Sequence, residues 1–220
     1  MAIYKRGFLF NLFFALSLFL FSGCFKDLTN TDVVYENDFN NGNLFKVMVA
    51  GWNSSFTVFA PVSDNRVNDF NGEKMIGKLN NNSVQLQLTN LPNHELLRVE
   101  FDLYLHNNWR NDLWHFSIDG ADQLLTGFSN TDTVKQSYPN WLGTGTGLGP
   151  AGRNAMSIDL PAVCNRVNSS FGSSQYRIVR TLSHKGSSVD LVYGDSGGTP
   201  NDTCTRSWSM DNLKVSVIRN

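Results

Sequence analysis

The sequence predicts an all-β protein, an antiparallel two-sheet β-sandwich. Three observations carry that reading. From Leu97 to His106, Val99, Phe101, Leu103 and Leu105 alternate with Arg98, Glu100, Asp102, Tyr104 and His106. Period two puts one face in a core and the other in water, the pattern of a half-buried antiparallel strand. From Leu113 to Ile118, Trp114, Phe116 and Ile118 alternate with His115 and Ser117 in the same way. Thirdly, no stretch holds a sustained helical period, and clusters of Asn, Asp and Gly punctuate the apolar runs.

The elements follow in order. Val33 to Phe39 reads as a first strand closed by Asn40-Asn41-Gly42, and Phe45 to Val49 as a second. Trp52 and Phe56 to Phe59 come next, then a polar loop from Pro61 to Gly72. Lys74 to Leu79 and Val84 to Leu88 flank Asn80-Asn81-Asn82, with Val84, Leu86 and Leu88 pointing inward. Leu91 to His94 turns the chain into the central strand, and His106 to Asp112 is expected to be a hairpin loop. Asp119-Gly120 is a tight turn into Gln123–Phe128. Ser129 to Ala155 is Gly-, Asn- and Thr-rich, a loop of a length usually tied to function or mobility. Gln175 to Leu182 and Val189 to Tyr193 are strands joined through His184, and Gly194 to Thr205 is a second polar loop. In the closing strand, Trp208 to Ile218, Leu213, Val215 and Val217 alternate with Lys214 and Ser216. Trp52, Trp114 and Trp208 are expected in the core.

The leader has its own logic. Lys5 and Arg6 precede an apolar run from Phe8 to Phe21, and Ser22-Gly23 precede Cys24. This is a secretory pattern. Its ending resembles a lipobox of the kind found in lipoproteins of Bacteroidetes-type bacteria, which implies a signal peptide over 1–23, acylation at Cys24 and a tether over 24–32. The domain then spans 33–220, and the implied place is the outer membrane or cell surface, with the membrane as partner through lipid. A plain signal peptide or a membrane span is the alternative, though the run is short for the roughly 20 residues of a span.

Composition narrows the partners. An apolar share of 41% over 220 residues suffices for one domain with a sizeable core. Without Lys5 and Arg6, 16 basic residues face 19 acidic ones, a balance of −3. No basic stripe is present, which argues against nucleic acid. Cys164 and Cys204 remain after Cys24, and in an oxidising compartment they favour a disulfide over two unrelated buried thiols. Neither sits at metal spacing from another Cys or His, so zinc is not expected.

Several segments together resemble extracellular bacterial jelly rolls of the lectin and carbohydrate-binding type, which implies a jelly-roll or concanavalin-like form for the sandwich. They include Met75-Ile-Gly77, Val84–Leu88, Val99–Tyr104, Trp114 with Asp119-Gly120, Gln136–Pro139 and Ser207-Trp-Ser-Met-Asp-Asn-Leu213. The last is similar to a closing strand reading Ser-Trp-Gly-Ile-Asp-Asn-Val, with Ser209 and Met210 at the Gly and Ile positions. The resemblance implies that the first and last strands are neighbours, and that calcium could tie them through Asp38 and Asp211, helped by Glu36, Asn37 and Asn212. The plainer alternative is that Asp211 and Asn212 hydrogen-bond a turn.

Two tryptophans fall in loops. Trp109 and Trp141, with Arg110 and Asp112 beside them, could offer a sugar both an aromatic platform and a polar rim. Alternatively they plug the sandwich ends. Hydrolysis of a glycosidic bond would need two facing carboxylates. Glu100, Asp102 and Asp112 are candidates, but the first two belong to a strand's wet face. No nucleophile elbow or phosphate loop is present. The expectation is a non-catalytic binding domain for a glycan or another extracellular ligand. A structural or adhesive protein and a polysaccharide-degrading enzyme are the alternatives.

Overall fold

The structure is a computed structural model that describes residues 29–40, 53–59, 67–140, 147–165, 172–196 and 202–219. The expected leader with Cys24, the strand at Phe45–Val49, Trp52 and Trp141 lie outside the described residues. Twelve strands are described: β1 (Asn30–Asn37), β2 (Asn53–Phe59), β3 (Val67–Phe70), β4 (Glu73–Leu79), β5 (Ser83–Thr89), β6 (Leu96–Asn107), β7 (Arg110–Ile118), β8 (Ala121–Ser129), β9 (Ser157–Leu160), β10 (Ser173–Ser183), β11 (Ser188–Asp195) and β12 (Arg206–Arg219). They form two antiparallel sheets. One runs β3-β4-β12-β6-β10-β9, with β1 also on β12; the other runs β2-β5-β11-β7-β8. The predicted sandwich is therefore observed.

The core lies between the sheets. Val99, Phe101, Leu103 and Leu105 of β6 face Trp114 and Phe116 of β7 and Leu86 of β5, all fully buried. Phe101 sits at the centre, with Trp114, Phe116 and Tyr193 rings at 5.8, 5.5 and 5.1 Å. Edge-on aromatic contacts of this kind add to the area that each ring hides. Trp208 packs on Trp114 at 5.9 Å, so both are core residues, as expected. The Asp119-Gly120 turn is also as read: both residues have positive φ, 50° and 77°, which suits the twist of a two-residue hairpin between β7 and β8.

Four expectations are corrected. The segment from His106 to Asp112 is not a hairpin loop. β6 runs to Asn107 and β7 starts at Arg110, and the two belong to opposite sheets, so the link crosses the end of the sandwich. The polar stretch Pro61–Gly72 contains β3, a short edge strand, and the long loop is followed by another, β9. The first strand begins at Asn30, inside the expected tether, because Asn30 to Asn37 pair with Arg219 to Leu213. Lastly, β6 is not wet on its outer face throughout, since Asp102, Tyr104 and His106 are buried.

Tyr104 and His106 are covered by a second, smaller apolar cluster, in which Phe70, Met75 and Val163 join Tyr104 on the outer face of the larger sheet. Phe70 stands 4.6 Å from the His106 ring. His106 bonds Ser173 Oγ at 2.9 Å and Ser209 Oγ at 2.8 Å, and burial pushes its pKa down to about 3, which keeps the ring neutral. The segment carrying Val163 is held down by the Cys164–Cys204 disulfide, with Cα atoms 5.6 Å apart. Asn107, at φ 62°, reinforces it by donating to Val163 O and Cys204 O at 3.1 and 2.7 Å.

Two outcomes follow for stability. Cys164→Ser with Cys204→Ser should lower the urea-unfolding free energy by about 2–4 kcal/mol, since a 40-residue closure is released. Phe101→Ala should cost about 3–5 kcal/mol in the same assay through the cavity it leaves.

Candidate functional site

The outer face of the larger sheet carries a polar groove, and one backbone irregularity creates it. β12 pairs with β6 along its length, but the register shifts between Asp211 and Lys214. The extra residue is a bulge at Asn212, whose φ is 51°, a conformation that asparagine tolerates better than most residues. The other edge of β12 is divided. Residues Trp208 to Met210 pair with β4, and Leu213 to Arg219 pair with β1. Where the two partners part, just past Asn37, a cavity of about 550 Å³ opens. Its lining is Glu36, Asn37, Asp38, Glu100, Arg177, Asn212 and Lys214.

Register explains the gathering. Lys214 lies opposite Glu100 on one side and Glu36 on the other, and Arg177 lies opposite Asp102. Arg177 Nε is 2.7 Å from Asp102 Oδ1. Arg98 reaches Glu100 Oε1 at 2.9 Å, and this bond holds the Glu100 carboxyl below its usual range, with Lys214 and Arg177 adding to it. Asn212 Nδ2 donates to Asp102 Oδ2 at 2.9 Å and to Asp211 Oδ2 at 3.3 Å, and the Asn212 backbone N–H donates to Asp211 Oδ1 at 2.7 Å.

Asp211 is the most perturbed acid here. Burial, and after it the nearby charges of Asp102, Glu73 and Asp38, push its pKa up to about 7, against the lowering by the Asn212 N–H. Burial also drives the Tyr104 phenol upward, with Asp102 and Asp211 adding to the effect. Asp211 lies directly across from Asp102, and like charges in that position repel. The expected neighbours Asp38 and Asp211 thus share one patch. Among the described residues, however, no group of three or more His, Cys, Asp or Glu could hold a metal ion.

The expected aromatic surface is different. Trp109 is fully buried: its Nε1–H donates to Ser207 O at 2.9 Å, and the Arg206 guanidinium lies 4.8 Å over its ring. It plugs the sandwich end, and, being fully buried, it offers no platform to a ligand. Arg206 also pairs with Asp112 at 2.7 Å and Asp195 at 2.8 Å, so Asp112 is tied into the same plug. Arg110 is exposed beside it. None of the three lines the groove. Sequence reasoning named Glu36, Asn37, Asn212 and Glu100 separately, but missed Arg177 and Lys214. Their only signal was polarity at outward positions of strands whose pairing was not yet known.

No protein-family model matches this chain, and no curated protein does either. Among solved structures, the chain is similar to latent PorU from Porphyromonas gingivalis at 9% identity and a TM-score of 0.38, over 84% of this chain and 14% of that one. It is similar to the K3 adhesin domain of Lys-gingipain from P. gingivalis at 12% identity and 0.34, over 85% and 99%. A family 35 carbohydrate binding module from Clostridium thermocellum matches at 9% and 0.32, over 84% and 97%. The chain thus spans only a small part of PorU, and at these scores the likenesses add nothing to what its own two sheets establish: an all-β antiparallel sandwich.

Asp211 gives a pH signature. The folded chain keeps this proton up to about 7, whereas the ordinary value is 3.8. The group's contribution to stability is complete below about 3.8 and is lost as pH rises through about 7. Asp211→Asn retains the acceptor for the Asn212 N–H and removes the proton. Its melting temperature should exceed that of the wild type above pH 7, by the equivalent of about 2–4 kcal/mol, with a flatter profile between the two values.

Proposed function

We propose that this chain is a non-catalytic binding domain, held by lipid at Cys24 on the outer membrane or cell surface, whose outer-face groove seats a glycan or a comparably hydroxyl-rich ligand. The observation that carries the reading is the groove lining: three carboxylates, two amides, one guanidinium and one ammonium around about 550 Å³. Carboxylate and amide oxygens accept from sugar hydroxyls, and Arg and Lys donate to them, so both halves of a hydroxyl are served. Among the described residues the lining is charged or amide-bearing throughout, which suits recognition through the hydroxyl rim of a sugar. The leader pattern from Lys5 to Cys24 supports the anchor.

A glycan array with the purified chain, followed by calorimetry on the best binder, tests this. Lys214→Met and Glu36→Gln should each weaken binding about tenfold, the loss of one charge-assisted hydrogen bond, while the melting temperature stays near that of the wild type. Trp109→Phe should not change the affinity of the folded protein. An array without a binder removes the glycan reading and leaves an adhesive role through protein contacts.

Calcium at Asp38 and Asp211 is proposed as an addition to this reading. Support comes from the like charge of Asp38, Glu73, Asp102 and Asp211 that an ion would relieve. Calcium should then raise the melting temperature and a chelator should lower it; identical curves end the proposal.

A further inference from the structure

At the far end of the sandwich from Trp109, three turns meet. They are the β5–β6 turn with His94, the β10–β11 turn with His184 and the β7–β8 turn with Asp119. His94 Nδ1 lies 2.6 Å from Pro92 O, His94 Nε2 lies 2.7 Å from His184 Nδ1, and His184 Nε2 lies 3.1 Å from Asp119 Oδ2. The ring planes are within 16° of parallel, and both imidazoles are nearly hidden from water.

Protons can be counted along this chain. The Pro92 carbonyl and the Asp119 carboxylate only accept, so His94 Nδ1 and His184 Nε2 must each carry a hydrogen. The central link needs a third. Two neutral imidazoles supply two. We infer that His94, His184 and Asp119 form a three-proton relay, neutral as a unit, that latches the three turns together and lets go of one link when the third proton leaves. On that loss, two ring lone pairs face each other at 2.7 Å, or an imidazole nitrogen faces a carbonyl or carboxylate oxygen, and one contact becomes repulsive.

Charged groups surround the relay among the described residues. Glu95 flanks His94, Lys185 follows His184, and Arg219 of β12 is paired with Asp32 of β1. On β11, the Asp190 backbone N–H donates to Asp119 Oδ1 at 2.9 Å, while the Asp190 side chain takes Gln85. Asn93, His94, Glu95, Lys185 and Arg219 line a cavity of about 340 Å³ against the relay, so its opening would reshape a surface. The latch also has backbone counterparts, Leu91 N–H to Ser187 O at 2.9 Å and His184 N–H to Glu95 O at 3.0 Å.

Asp119→Asn is the decisive variant. The amide oxygen can keep the Asp190 N–H, and the amide nitrogen can donate to His184 Nε2. Two neutral rings then complete the relay without a third proton. Asparagine also suits the positive φ of 50° at this turn. Nitrogen-15 NMR of histidine-labelled full chain, titrated from about pH 5 to about pH 8, reads the count. The wild type should show three ring hydrogens on the pair and lose one of them in a single shared step. Exchange of the Leu91 and His184 amides should then run about tenfold faster than in the variant at the same pH. Asp119→Asn should show two ring hydrogens throughout and no step. One hydrogen per wild-type ring at every pH, or an unchanged step in the variant, overturns the relay. Should the variant not fold, the wild-type count decides alone.

Discussion

β12 has to satisfy more neighbours than one straight strand can. Its whole length is bonded to β6, while its opposite edge serves β4 and then β1. The changeover falls between Met210 and Leu213. The bulge at Asn212 turns the ladder there, adds one residue and keeps Leu213 in the core while Lys214 faces out. Met210, Leu213, Val215 and Val217 therefore stay on the buried side despite the break in register. The same irregularity brings Asp211 opposite Asp102 and places Asn212 to bridge their carboxylates. Core integrity and the polar groove are thus two results of one backbone feature.

The outer face of the larger sheet is divided in consequence. Toward Asn107 it is sealed by Phe70, Met75 and Val163, with the disulfide holding the cover in place. Toward Glu100 and Lys214 the described residues that line the face are charged or amide-bearing, and charge prevails. Gly77 marks the boundary. A Cβ there would stand 2.5 Å from Ser209 Cα, so β4 can approach β12 this closely only through glycine. The aromatic Trp109 and its cation Arg206 belong to a different structure, a plug between the sheets whose charges are used up internally.

Much of the fold was legible because alternation reports burial directly. Val84, Leu86 and Leu88, and the series Val99 to Leu105, pointed inward as their period required. The Asp119-Gly120 turn was legible from local sterics alone. What could not be read was pairing between distant segments. The outward series Glu100, Asp102, Tyr104 and His106 looks uniformly wet in sequence, yet three of the four are buried, Tyr104 and His106 under residues from β3, β4 and the turn at Val163. A tryptophan in a polar stretch likewise carries no mark of whether it faces solvent or the sheet end. Arg177 and Lys214 became site residues only when register set them beside Glu36 and Glu100. The adjacency of the first and last strands was inferred from resemblance, and the pairing of β1 with β12 bears it out.

That pairing also sets which end of the domain the chain enters. β1 begins beside Arg219 and climbs to Asn37, so Glu36 lies six residues, or about 20 Å, above the foot of the strand. Six peptide steps separate Cys24 from Asn30, a reach of at most about 20 Å. A lipid on Cys24 would then confine the groove mouth to within about 40 Å of the bilayer, with the histidine pair closer to the strand's foot than Trp109 is. Ligands would be met along the membrane surface rather than out in the medium.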